Sequence, residues 1–200
     1  MNFLAHIHLS GPERDIQLGN FIGDFVKGNQ LTEFPTPIQT GIMLHRHIDT
    51  YTDTHEVVRE SKLKLREDFG HYAPVIVDVF YDHFLARDWQ KHHSQDLKSF
   101  TEDFYKLAKS READLPPRAS KMLSYMSADN WLYNYQFIEG IKWTLTGMSR
   151  RTSFNSHMEL AHKALEAHYD SFEKEFNIFF PELIHSSNQF LDELKNRFSL

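Results

Sequence analysis

The chain has 200 residues, no cysteine, 13 histidines and a formal net charge of −6. That excludes disulfides and thiolate metal sites and argues against a general nucleic-acid binder, which carries a basic excess. Hydrophobic residues at 40% and charged residues at 25% fit neither a disordered chain nor a membrane-spanning one, and no apolar run approaches the roughly 18 residues of a spanning helix.

The opening MNFLAHIHLSG has no basic leader and is interrupted by His6 and His8, so a cytosolic protein is expected. As a strand, residues 2–9 would put the two histidines on one face; as a helix they would diverge. The next piece, 16–27, contains Gly19 and Gly23 and sets Asp24 among Phe21, Ile22, Phe25 and Val26. A glycine immediately before an aspartate lets another chain segment or a ligand come close.

Pro35 and Pro37 suit a helix start, and apolar residues then recur every three or four positions from Ile38 to Leu65. A break is expected near Thr52 to Thr54, all good N-caps. Within this stretch GIMLHRHIDTYTD puts His45 and Asp49 four apart, on one face beside Ile42 and Ile48. The pair suits a divalent cation or an ordinary helical hydrogen bond. From about 73 to 91 the valine-rich VIVDVF reads as helix because YDHFLARDW continues it. Asp78 and Asp82 lie four apart there on strongly apolar ground, followed by His83. Two buried carboxylates one turn apart need a cation between them, a proton, or a buried Arg or Lys.

Further helices are expected at 95–109, 117–133, 135–148, 155–179 and 181–197, with DLPPR at 114–118 the clearest breaker. The whole reads as one all-α domain, 1–200, of about seven to nine helices. His6, Asp24, His45, Asp49, Asp78, Asp82 and His83 together form a hard N/O ligand set, suited to Mn²⁺, Mg²⁺, Fe²⁺ or Zn²⁺ and to water activation at phosphorus.

MNFLAHIHLS, GNFIGDFVKGN, GIMLHRHIDTYTD and VDVFYDHFLARDW, in this order and spacing, resemble the acyl carrier protein phosphodiesterase family. The likeness continues more thinly through WLYNY, GMSRR and AHYDSFEKEFNIFFP. The resemblance implies hydrolysis of the phosphodiester between 4′-phosphopantetheine and the serine of holo acyl carrier protein, dependent on a divalent metal, typically manganese. It implies an all-α fold distantly akin to HD-type phosphohydrolases, although YDHF reverses their His–Asp order. Metal ligands implied are Asp24, Asp82 and His83, with His45, Asp49 and His6 as further members.

On that reading Asp49 or His83 orients the attacking water, and Arg46 or Lys27 holds a phosphate oxygen. Acyl carrier proteins are acidic, so docking on this acidic chain requires a local basic patch, for which Arg150 and Arg151 of GMSRR, near Lys142, are the candidates. Two other readings compete: a nucleotide phosphohydrolase with a small closed pocket, and a non-catalytic helical binding module in which Asp78 and Asp82 pair with Arg or Lys.

Overall fold

The structure is a computed structural model describing residues 1–200. It is all-α, with eleven α-helices and no strand. In chain order they are α1 Phe3–Leu9, α2 Arg14–Ile22, α3 Thr36–Thr54, α4 Glu56–Phe69, α5 Ala73–Arg87 and α6 Leu97–Ser110. Then come α7 Pro117–Ala128, α8 Trp131–Asn134, α9 Ile138–Ser149, α10 Ala161–Ala167 and α11 Tyr169–Phe198. Short 3₁₀ turns join them, including 23–25 and 28–33.

The valine-rich stretch is helix α5, and its composition explains its position. Eleven of its 15 residues are buried, so it is apolar nearly all round and forms the centre of the molecule. The helices packed around it bury one stripe each: α6, for example, buries Leu97, Phe100, Thr101, Phe104, Tyr105, Leu107 and Ala108. One cluster of 49 buried hydrophobic residues runs through the molecule. No helix is long and apolar enough to cross a membrane.

Helices α2 and α3 cross at backbone contact. A Cβ on Gly19 would fall 2.1 Å from the Ile38 carbonyl oxygen, and one on Gly41 would fall 2.1 Å from that of Ile16. Only two glycines permit this approach, and it sets residues 20–25 against the middle of α3.

The helix expected over 117–133 breaks after Ala128 and the one expected over 155–179 divides at His168; two further boundaries also differ from the sequence reading. The break after α3 is capped by His55, whose Nδ1 accepts from the Val57 amide at 3.3 Å, while Thr52 stays buried inside α3. Helix α11 runs unbroken through Pro181, where a new helix was expected. Pro181 and Asn177, whose carbonyl loses its partner, are both exposed, so water can serve that carbonyl. The buried stripe Phe176, Phe179, Phe180, Leu183, Ser187, Leu191 continues in register across it, and packing outweighs the lost bond.

Candidate metal centre and cleft

Three segments meet at the α2–α3 crossing. α1 brings His6, the turn at 23–25 brings Asp24, and α3 brings His45 and Asp49. The Nε2 of His6 lies 3.2 Å from Asp49 Oδ1, and that of His45 lies 3.1 Å from Asp49 Oδ2 and 3.2 Å from Asp24 Oδ1. One ligand atom each from His6, His45 and Asp49 falls within 4.8 Å of the others.

Asn20 of α2 sets both imidazoles. Its side-chain nitrogen donates to the His6 carbonyl at 2.8 Å and to Ser10 Oγ at 2.9 Å. Its Oδ1 therefore accepts, 2.8 Å from His6 Nδ1, which fixes the proton of a neutral His6 on Nδ1. The Asn20 backbone carbonyl accepts from His45 Nδ1, also at 2.8 Å. The Nε2 of His45 is left facing Asp24 and Asp49, and that of His6 faces Asp49 with the Met1 carbonyl oxygen also 3.2 Å away; an Nδ1 tied down behind an outward Nε2 is the pattern of metal-binding histidines. Gly23 makes room for the second ring: a Cβ there would lie 2.2 Å from His45 Cγ.

The electrostatics are those of two buried rings beside two open carboxylates. The His6 and His45 side chains are 3% and 4% exposed; those of Asp24 and Asp49 are 62% and 42% exposed. Burial disfavours a charged His45, but hydrogen bonds to Asp24 and Asp49 outweigh it and raise the ring to about 9. Burial, then the neighbouring His45, pulls His6 down. Burial pushes Asp49 up, yet hydrogen bonds from both histidines hold it well below the usual carboxylate range. The hydrogen bond from His45 likewise lowers Asp24. Two oriented imidazole nitrogens and the ionised Asp49 carboxylate fit a divalent cation, with the Asp24 carboxylate beside them.

The centre opens into a cleft of about 540 Å³. Asp24, Asp49, Thr52, Asp53 and Asp78 line it, together with Arg118 and Met122 of α7, Trp131 of α8, Met148 of α9 and Arg151. Thr52 Oγ1 is buried without a hydrogen-bond partner. The guanidinium of Arg151 lies 5.8 Å from the Trp131 ring centre.

The remaining predicted residues fall elsewhere. Asp82 and His83 do not join Asp24 and His45 in one cavity. Asp82 is fully buried and accepts the amides of Asn2, Leu4 and Ala5 at 3.2, 2.8 and 3.4 Å, capping α1. Burial pushes it up to about 7 against the nearby amino group and those three donors. Asp78 lines the cleft and binds the amino group of Met1 at 2.9 Å, which provides the cation its apolar setting demands. The two carboxylates thus hold the start of α1, from which His6 projects. His83 has both nitrogens engaged, by the Tyr135 carbonyl at 2.8 Å and the Tyr169 hydroxyl at 2.7 Å, and burial pulls it down to about 4. Arg46 donates to the Val26 carbonyl at 3.2 Å, and neither it nor Lys27 nor Arg150 lines the cleft. Asn20, Arg118 and the unpartnered Thr52 were not foreseen as functional. Thr52 sits seven residues beyond His45, a spacing that keeps it on the same helix face.

Fold and site define an all-helical protein with a centre of two histidines and Asp49, flanked by Asp24, compatible with a divalent cation and bordering a cleft. Over residues 1–183 the chain matches the family described as acyl carrier protein phosphodiesterase. It is 35% identical over 185 residues to the acyl carrier protein phosphodiesterase of Salmonella dublin, covering 92% of this chain and 96% of that one. It is 34% identical over 190 residues to the protein of the same name from Escherichia coli O45:K1, covering 94% and 98%. No solved structure matches. The chain belongs to the acyl carrier protein phosphodiesterase family and is a hydrolase. Membership sets aside the non-catalytic binding module.

Proposed function

We propose that this protein hydrolyses the phosphodiester of holo acyl carrier protein, releasing 4′-phosphopantetheine and the apo protein, with a divalent metal, manganese foremost, held by His6, His45 and Asp49. The observation that carries the reading is the convergence of the His6 and His45 Nε2 atoms on Asp49, with both Nδ1 atoms tied down by Asn20. Family membership supports the carrier protein as substrate.

When bound, a divalent cation supplies charge neutralisation at the phosphate and a lowered pKa for water. Asp24, whose side chain is open to the cleft, orients that water and takes its proton. The water oxygen joins phosphorus, the bond to the serine oxygen breaks, and a proton completes the serine hydroxyl. Arg118 and Arg151 meet the phosphate oxygens left over, since guanidinium groups bind them in pairs. Phe25, Val75, Met122, Trp131 and Met148 form the apolar wall along which the extended arm lies. His83 acts at a distance, by holding the backbone of Tyr135, itself a cleft residue. An open cleft edged by arginines suits a protein-borne arm better than the closed pocket of a nucleotide hydrolase.

The test is incubation with holo acyl carrier protein and Mn²⁺, read by intact mass. Conversion to the mass of the apo protein, abolished by a chelator, is expected. An unchanged carrier mass at full metal loading would refute the reading.

A further inference from the structure

A second groove, of about 500 Å³, lies beside the cleft on α4. Arg59, Lys62, Leu63 and Arg66 line it from one face of the helix, at spacings of three, four and seven, with His71 and Pro74 beyond the helix end. No carboxylate lines it. The cations are under-used: Arg66 has no ion-pair partner, and Arg59 reaches Glu56 and Glu60 only at 3.9 and 3.6 Å. Leu63 stands among them, 50% exposed. The chain as a whole carries a net charge of −6.

The groove joins the cleft. Pro74 lines both, and Lys62 holds Asp53, itself a cleft residue, at 2.7 Å. A partner seated on α4 therefore stands at the mouth of the cleft that leads to His6, His45 and Asp49.

We propose that this groove docks the protein substrate through a surface that presents carboxylates around one apolar side chain, the latter meeting Leu63. The proposal rests on the function proposed above for what the docked partner delivers. The acidity of the partner follows from the groove itself: three cations and no carboxylate line it on a chain of net negative charge, so an acidic surface is attracted here, which sets orientation as well as rate. The apolar contact at the centre with charges around it is the arrangement of a protein interface. Docking then rests on α4, apart from Arg150, which lies outside the cleft.

The test measures binding of holo acyl carrier protein by calorimetry without divalent metal, so that no turnover intervenes, for the wild type, Arg59→Glu/Arg66→Glu and Leu63→Ala. Circular dichroism melts check folding. The double variant should bind at least ten-fold more weakly and lose most of the salt dependence of the wild type; Leu63→Ala should bind a few-fold more weakly. Hydrolysis of bis(p-nitrophenyl) phosphate with Mn²⁺ should be unchanged in both. A lysine placed at the contacting carboxylate of the carrier should restore binding to the double variant. Unchanged carrier binding, an equal loss on the small diester, or wild-type protein that binds anionic vesicles and not the carrier would each overturn the proposal. A wild type that binds the carrier through α4 without changing its mass would refute the proposed reaction and leave the docking face standing.

Discussion

His6 and His45 lie ring on ring, centroids 4.1 Å apart and 22° from parallel, with both Nε2 atoms against Asp49. They come from helices 39 positions apart in sequence, and neither ring has room to turn: Asn20 holds the far nitrogen of each. Stacked imidazoles gain little from each other and repel when both are charged. The divalent cation proposed above would sit between them and keep both rings neutral.

Asp49→Asn keeps the size of the side chain and removes the charge that a cation needs. Manganese should raise the melting temperature of the wild type, since it binds the folded state. That rise should vanish in the variant, and phosphodiesterase activity should fall by about three orders of magnitude. A preserved metal-dependent rise would show that Asp49 is no ligand.

Asn20→Ala should act through the histidines. With no Oδ1 acceptor, His6 loses the bond that fixes its tautomer, and metal affinity should fall by about 10–100-fold. Equilibrium dialysis measures this directly, apart from turnover.

Gly23→Ala tests the approach of the turn to α3. The new methyl would meet His45 Cγ at 2.2 Å, so the ring or the turn must move. Over-packing of this kind costs about 1–3 kcal/mol. Urea denaturation should register that loss, and activity should fall further than stability, because the displaced ring is part of the centre.

The pH dependence of stability carries the sign of His83. Its folded value of about 4 lies below the unfolded value of about 6.5, so the folded state binds fewer protons between them. The contribution is full above pH 6.5 and is lost as the pH falls toward 4. His83→Gln removes the titration. The variant should be less stable than the wild type at pH 7, and the gap should narrow by a few kcal/mol by pH 4. Urea midpoints across that range decide it; a constant gap would mean that His83 titrates alike in the folded and unfolded states.

Pro181→Ala restores an amide for the Asn177 carbonyl in a helix that is already continuous. Proline inside a helix costs about 3 kcal/mol relative to alanine, part of it recovered here by exposure and packing. Stability should rise by about 1–2 kcal/mol with activity unchanged, read as a higher melting temperature.

Local spacing in the sequence determined much of this protein. The three-and-four rhythm from Ile38 to Leu65 makes helix, and the length of the run around VIVDVF makes helix α5. His45 and Asp49 share a face because 3.6 residues make a turn, and the glycine before Asp24 announced a close approach that turned out to be the His45 ring. Those are properties of neighbouring residues, and the backbone period converts them directly into geometry. Which distant groups answer one another was decided by tertiary packing. Asp82 and His83 lay on the apolar ground where a ligand was expected, yet α1 arrived with three unpaired amides for Asp82, and Tyr135 and Tyr169 took both nitrogens of His83. A buried carboxylate needs a partner, but sequence states only the need; a metal, an amino group and a helix N-terminus satisfy it equally. The same holds for Asn20, which looks like any polar residue on a short helix until the crossing at Gly19 and Gly41 carries it between two histidines.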